Sequence, residues 1–188
     1  MKSKVLVRIL ILVVLGTFFV IACLSDPLQL HFAANRYNRL LDGELPEDMT
    51  LTIYYVPVQI ATRFPWSVED LLTSDLIVKL VVYSDDLAKN LQTLKRLGSA
   101  DWLPSDEDMY LNARIYYVFE TGGKKVLEVA LWTYAKDAGS ESVGALVNGI
   151  EVKGHTAFLS VVIPFLPESH RKTMGLMDVP ADSVDFDE

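Results

Sequence analysis

Cysteine occurs once in the 188 residues, at Cys23, and histidine three times, at His31, His155 and His170. One thiol excludes a CxxC redox pair and a cysteine-ligated zinc. The histidines are scattered and match neither HxxxH nor HExxH, and His170 beside Glu168 in "PESHRK" fits a helix cap better than a metal site. No serine lies in a GxSxG context, and "TGGKK" lacks the spacing of a phosphate-binding loop, so it is expected to be a turn. Asp106, Glu107 and Asp108 cluster in "DWLPSDED" without the glycine-permitted bend of a calcium loop, and they are expected to be solvated acids. No metal and no cofactor are therefore expected.

Basic residues are scarce outside the N-terminus. Setting aside Lys2, Lys4 and Arg8 leaves 14 basic against 25 acidic side chains, a formal charge of −11. Such a surface repels phosphate backbones, which excludes nucleic acid as a partner. The last eleven residues, "DVPADSVDFDE", hold five acids and little apolar periodicity. Residues 176–188 are expected to form a disordered acidic tail.

What is abundant is an apolar leader. Ile9 to Leu24 are sixteen residues without a charge. As a helix they would span about 24 Å, and a start at Val5 extends this to about 30 Å, the thickness of a hydrocarbon core. The basic end stays cytoplasmic by the positive-inside rule, which places the rest of the chain outside. Residues 1–24 are thus expected to be a signal peptide or membrane anchor, and the protein to sit at the cell membrane with its domain on the extracytoplasmic side. "FVIAC" resembles the lipobox of bacterial lipoproteins, which implies Cys23 as a lipid-attachment site. The following "LSDPLQLHF" departs from the usual Gly/Ser/Asn-rich tether. Uncleaved anchor, lipoprotein and cleaved signal peptide remain the three fates, in that order.

Residues 25–48 predict a juxtamembrane helix and a connector. Asp26 can cap, Pro27 suits the first helical position, Gly43 offers a stop, and Phe32, Tyr37, Leu40 and Leu41 supply apolar contacts. Residues 49–175 predict one α+β domain, a hairpin-rich antiparallel sheet with two or three helices on one face. Strands are expected over "TLTIYYVPV" (50–58) and "LIVKLVVY" (76–83), and "SVED" (67–70) satisfies a capping-box pattern. "SDDLAKNLQTLKRLG" predicts a single helix capped by Ser84 or Asp85, with Leu87, Leu91, Leu94 and Leu97 on its apolar face. Two hairpins are expected, at Gly122–Gly123 and Asn148–Gly149, and a last strand over "AFLSVVIPFLP" up to Ile163. The tetrapeptide IYYV occurs at 53–56 and 115–118 with differing flanks, as two strands of similar burial demands would give.

Glu128 is the candidate acid or base. An even-length loop after "ETGG" pairs Glu120 with Lys125 and puts Glu128 opposite Tyr117, on a face shared with Ile115, Phe119 and Ala130. Buried there, its pKa would rise and it could exchange protons with a substrate. A bulge would instead slip the register and turn Glu128 toward water or a structural bond to a Tyr hydroxyl. Among the aromatics, Trp66, Trp102 and Trp132 with the tyrosine pairs 54–55 and 116–117 could line a groove, at most one tyrosine of each pair facing it. Trp102, on the acidic loop, is the candidate partner-binding residue.

"TIYYVP", "RFPWSVEDL", "ARIYYVFE", "LVNGIEVK" and "IPFLPE" together resemble segments of small exported, membrane-tethered proteins of unknown function in Gram-positive bacteria, over roughly residues 50–168. The resemblance implies export and an α+β domain, with no substrate. The expected function is a non-enzymatic binding or interaction module at the cell surface. Its partners are the membrane, through the N-terminal segment, and a protein of the envelope. The alternatives are an envelope enzyme using carboxylates and an accessory subunit whose edge strand pairs with a neighbour.

Overall fold

A computed structural model describes residues 25–57, 60, 65–105, 112–132, 144–153 and 156–173. The leader with Cys23, the acidic triplet Asp106–Asp108, His155 and the tail lie outside the described residues, as do the side chains of Trp132 and His170.

Six strands form one antiparallel sheet: β1 (Thr50–Tyr55), β2 (Val78–Tyr83), β3 (Ile115–Thr121), β4 (Lys124–Trp132), β5 (Gly144–Val147) and β6 (Ile150–Val152), in the order β2-β1-β3-β4-β5-β6. The helices are α1 (25–41), α2 (Val68–Thr73), α3 (Ser84–Lys89), α4 (Leu91–Ser99), α5 (Thr156–Ser160) and α6 (Glu168–Thr173). The α+β class and the antiparallel sheet are as the sequence predicts. Both hairpins form where expected, with Gly122, Gly123, Asn148 and Gly149 all at positive φ, the geometry that a two-residue turn between twisted strands requires. The two IYYV segments are mutual partners at the centre of the sheet, with Ile53 opposite Tyr117 and Tyr54 opposite Tyr116.

Alternation along these strands gives the sheet two faces. One carries Leu51, Ile53, Tyr117, Phe119, Leu127 and Val129 into the main core, which α1, α3, α4 and α5 cover. Helix α1 belongs to this core: Leu30, Ala33, Tyr37 and Leu41 are buried in it, and the Tyr37 hydroxyl donates to the Leu94 carbonyl at 3.2 Å. The i, i+3, i+7, i+11 spacing of these four residues is what an amphipathic helix lays against a sheet. Of the expected contacts, Tyr37 and Leu41 are buried, whereas Phe32 is exposed.

The second face carries Thr52, Tyr54, Tyr116, Val118, Glu128 and Ala130. Here α2 buries Leu71 against Val56, Tyr116 and Val118. The expectation of helices on one face only is thereby corrected. The capping box of α2 forms as predicted: the Asp70 N–H donates to Ser67 Oγ at 3.1 Å, and the Ser67 N–H donates to the Asp70 carboxylate at 2.9 Å.

Three further expectations are corrected. The helix over 84–98 is two helices, because Asn90 breaks it: its Nδ2 donates to the Asp86 carbonyl, the acceptor that its own N–H would take in a continuous helix. Neither Ser84 nor Asp85 caps α3, whose N-cap position is Tyr83 with no side-chain bond. Finally, "AFLSVVIPFLP" is α5 followed by a 3-10 turn at Ile163–Phe165, not a strand. Ala157, Phe158, Leu159, Val161 and Val162 are all buried. A run apolar on every side fits a short helix sunk in the core as well as a strand. The Tyr117 hydroxyl ties α5 to the sheet by donating to the Phe158 carbonyl at 2.9 Å.

Candidate functional site

The register of β3 against β4 decides where Glu128 points. Glu120 pairs with Lys125 as predicted, but Phe119 pairs with Leu127, leaving Val126 as an extra residue in a bulge. Val126 and Leu127 are both buried in the main core. Two adjacent apolar side chains can face one side only if the pleat is interrupted between them. Helix α1 supports the interruption, since the Arg36 guanidinium donates to the Lys125 carbonyl at 2.9 Å and the Val126 carbonyl at 2.8 Å. Beyond the bulge Glu128 sits opposite Val118 and Tyr117 opposite Val129. Glu128 has therefore left the face it was expected to share with Tyr117 and lies on the second face.

There its Oε2 accepts from the Tyr116 hydroxyl at 2.9 Å and the Lys125 ammonium at 2.8 Å. The backbone is fixed as well: the Glu128 N–H donates to Asn148 Oδ1, and the Asn148 N–H donates to the Glu128 carbonyl, each at 2.9 Å. The side chain is 33% exposed. Burial pushes the carboxyl up, but the hydrogen bonds from Lys125 and Tyr116 and the Lys125 charge outweigh it and hold the pKa below the usual value. The burial of Tyr116 and its bond to Glu128 push the phenol up to about 12. The pair at neutral pH is a carboxylate and a neutral phenol that donates to it. Of the two readings of Glu128, the geometry is that of the bulge and the structural bond to a Tyr hydroxyl, and not that of a buried acid with a raised pKa.

Tyr116 continues a row across the sheet. Its ring lies 5.9 Å from that of Tyr54, and Lys79 Nζ stands 5.5 Å from the Tyr54 ring centroid. The row thus runs from Lys79 on β2 through the two tyrosines to Glu128 and Lys125 on β4. Tyr55 and Tyr117, the other member of each pair, are buried in the main core, so one tyrosine of each pair lies on the second face, as the alternation requires, with Tyr116 itself buried there beneath α2.

Trp102 is buried, not exposed on the acidic loop as expected. Its ring is 7% exposed, packs on Tyr37 and Phe158, and donates its indole N–H to the Leu97 carbonyl at 3.0 Å. The loop that carries it is laid along β6: Pro104 bridges to Val152, the Ser105 N–H donates to the Glu151 carbonyl, and the Lys153 N–H donates to the Leu103 carbonyl. One sheet edge is thereby covered, and covering it drops Trp102 into the core.

The opposite edge, β2, has no strand on its outer side among the described residues. Lys79, Val81 and Tyr83 alternate outward, Tyr83 being 64% exposed, with exposed Leu72 and Leu76 in the preceding segment. Elsewhere, a groove of about 620 Å3 is lined by Glu44, Glu47, Ser84 and Asp85 among others, and does not include Glu128. Among the described residues no three His, Cys, Asp or Glu side chains are arranged to hold a metal ion, and no helix is long and apolar enough to cross a membrane. No protein-family model, curated protein or solved structure matches the chain.

Proposed function

We propose that this protein is an exported domain, held at the cell membrane by residues 1–24, that acts by binding a protein partner of the envelope and not by catalysis. The observation that carries this reading is the β2 edge, which no strand covers among the described residues, with its outward Val81 and Tyr83. A free edge offers a row of main-chain donors and acceptors to an incoming strand, and alternate side chains supply selectivity. Most of the other exposed positions of the sheet are managed: loop 103–105 covers β6, and Lys125 and Tyr116 neutralise the one acid on the second face of β4. Export rests on the basic, then apolar, leader. The enzyme alternative is less favoured at Glu128 in its acid form, because a carboxyl held below its ordinary pKa is ionised at neutral pH and is a poor proton donor.

The test is site-specific photo-crosslinking in intact cells, with benzoylphenylalanine placed in turn at Val81, Tyr83 and, as a control, Glu168. A discrete adduct with another envelope protein is expected from the two β2 positions and not from the control. Its loss on Tyr83→Lys at an unchanged melting temperature would tie the adduct to the edge. An adduct containing only a second copy of the chain, or none from β2, overturns the reading.

A further inference from the structure

Helix α1 buries one side in the core and leaves an apolar pair on the other. Leu28 and Phe32, one helical turn apart, are 51% and 63% exposed. Large apolar side chains four residues apart form one patch, and no described element covers it. The apolar run of the N-terminal segment ends at Leu24, next to the first described residue of α1. At about 1.5 Å per residue, Leu28 and Phe32 stand about 6 and 12 Å along the chain from that end. The headgroup layer on one side of a bilayer is about 5 to 8 Å deep, so both side chains reach it together only if α1 lies along the surface and does not stand on it.

Charge points the same way. Residues 25–41 carry a formal +1, whereas residues 42–188 carry −12; of the two arginines of α1, Arg36 is committed to the carbonyls of the β4 bulge, and Arg39 is the one left to meet a surface. Most of the domain is repelled by an anionic lipid surface, and α1 is the part next to the leader that is not. Arg39 is exposed, and it follows Phe32 by seven residues, two turns on along the same side of the helix.

We infer that α1 lies in the membrane interface with Leu28 and Phe32 facing lipid, the occupant of this patch being an anionic bilayer surface. This rests on the tethering proposed above. It deepens that reading by orienting the domain: α1 packs on the main-core face of the sheet, so the face carrying Tyr116 and Glu128 looks away from the bilayer. The burial of two such side chains supplies the orientation, and the leader supplies the attachment.

The experiment uses the full chain reconstituted into vesicles of phosphatidylethanolamine and phosphatidylglycerol, with benzoylphenylalanine at Phe32 or at Val81. Flotation measures attachment, and mass spectrometry after illumination measures lipid adducts. Expected is flotation of both proteins, with lipid adduct at position 32 exceeding that at 81 by about tenfold or more. Flotation without preferential lipid adduct at position 32 overturns the orientation and leaves the tether standing. So does an adduct there with the leader or with a second copy. Failure to float overturns both. Position 32 is open enough that the substitution leaves the fold intact, and a matching melting temperature checks this.

Discussion

Glu128 and Asp48 are carboxylates whose protons are set by a few hydrogen bonds. Asp48 accepts from the Thr121 hydroxyl and the Gly122 N–H at the β3–β4 turn, and those bonds hold its pKa below the usual value. Glu128 is lowered by Lys125 and Tyr116 against the opposing effect of burial. Both folded-state pKa values lie below the unfolded ones. Their contribution to stability is therefore complete above the unfolded values and is lost as pH falls through the folded ones. Urea unfolding between about pH 3 and pH 7 should show an acid limb that Asp48→Asn flattens. In Tyr116→Phe, which keeps the ring against Tyr54, the Glu128 carboxyl should titrate closer to its ordinary value. A carbon-detected NMR titration with an unmoved Glu128 would refute the assignment of that bond. The alternation of residues in the sequence already shows that the two tyrosines of each pair lie on opposite faces of the sheet. Glu128 was not placed by it, because Val126 and Leu127 are equally apolar and only their joint burial reveals the bulge.

At the scale of elements, turns and caps follow from local chemistry. Asn148 and Gly149 turn the β5–β6 hairpin with φ of 49° and 83°, and a Cβ at position 149 would sit in a conformation that L residues avoid. Gly149→Ala should cost about 1 to 2 kcal/mol in chemical denaturation, and a neutral result would mean that the turn relaxes to another type. Ser67→Ala should remove about 1 kcal/mol by opening the capping box of α2. These features are visible in short stretches of sequence because the atoms involved lie within four residues of one another. The failures have the opposite origin. Asn90 splits a leucine-periodic helix through a side-chain bond that periodicity does not register. The segment 156–163 is apolar throughout, so its pattern does not separate helix from strand, and contacts with Tyr117 and α4 decide.

For the whole molecule, α1 is the element with the widest reach. It buries Tyr37 against Phe119 and Trp102, donates from Asn38 to the Gly98 carbonyl at 2.8 Å, and holds the bulge through Arg36. Asn38 also explains why position 98 is glycine: a Cβ there would meet the Asn38 side chain. A fragment beginning at Met49 should therefore fail to give a cooperative unfolding transition. Leu30→Ala in the full chain should cost about 2 to 5 kcal/mol. A fragment that unfolds with the same midpoint as the full chain would show that α1 is an appendage.

The sign of the net charge, the antiparallel hairpins and the α+β class are written into composition and spacing, since each depends on neighbours in the chain or on totals. The fates of Trp102 and Glu128 are not. Trp102 is buried because its loop pairs with a strand about fifty residues away. Glu128 turns outward because a helix nearly ninety residues earlier takes up the carbonyls of a bulge. Such outcomes depend on which distant groups become neighbours, and hydrophobic burial across the sheet sets that.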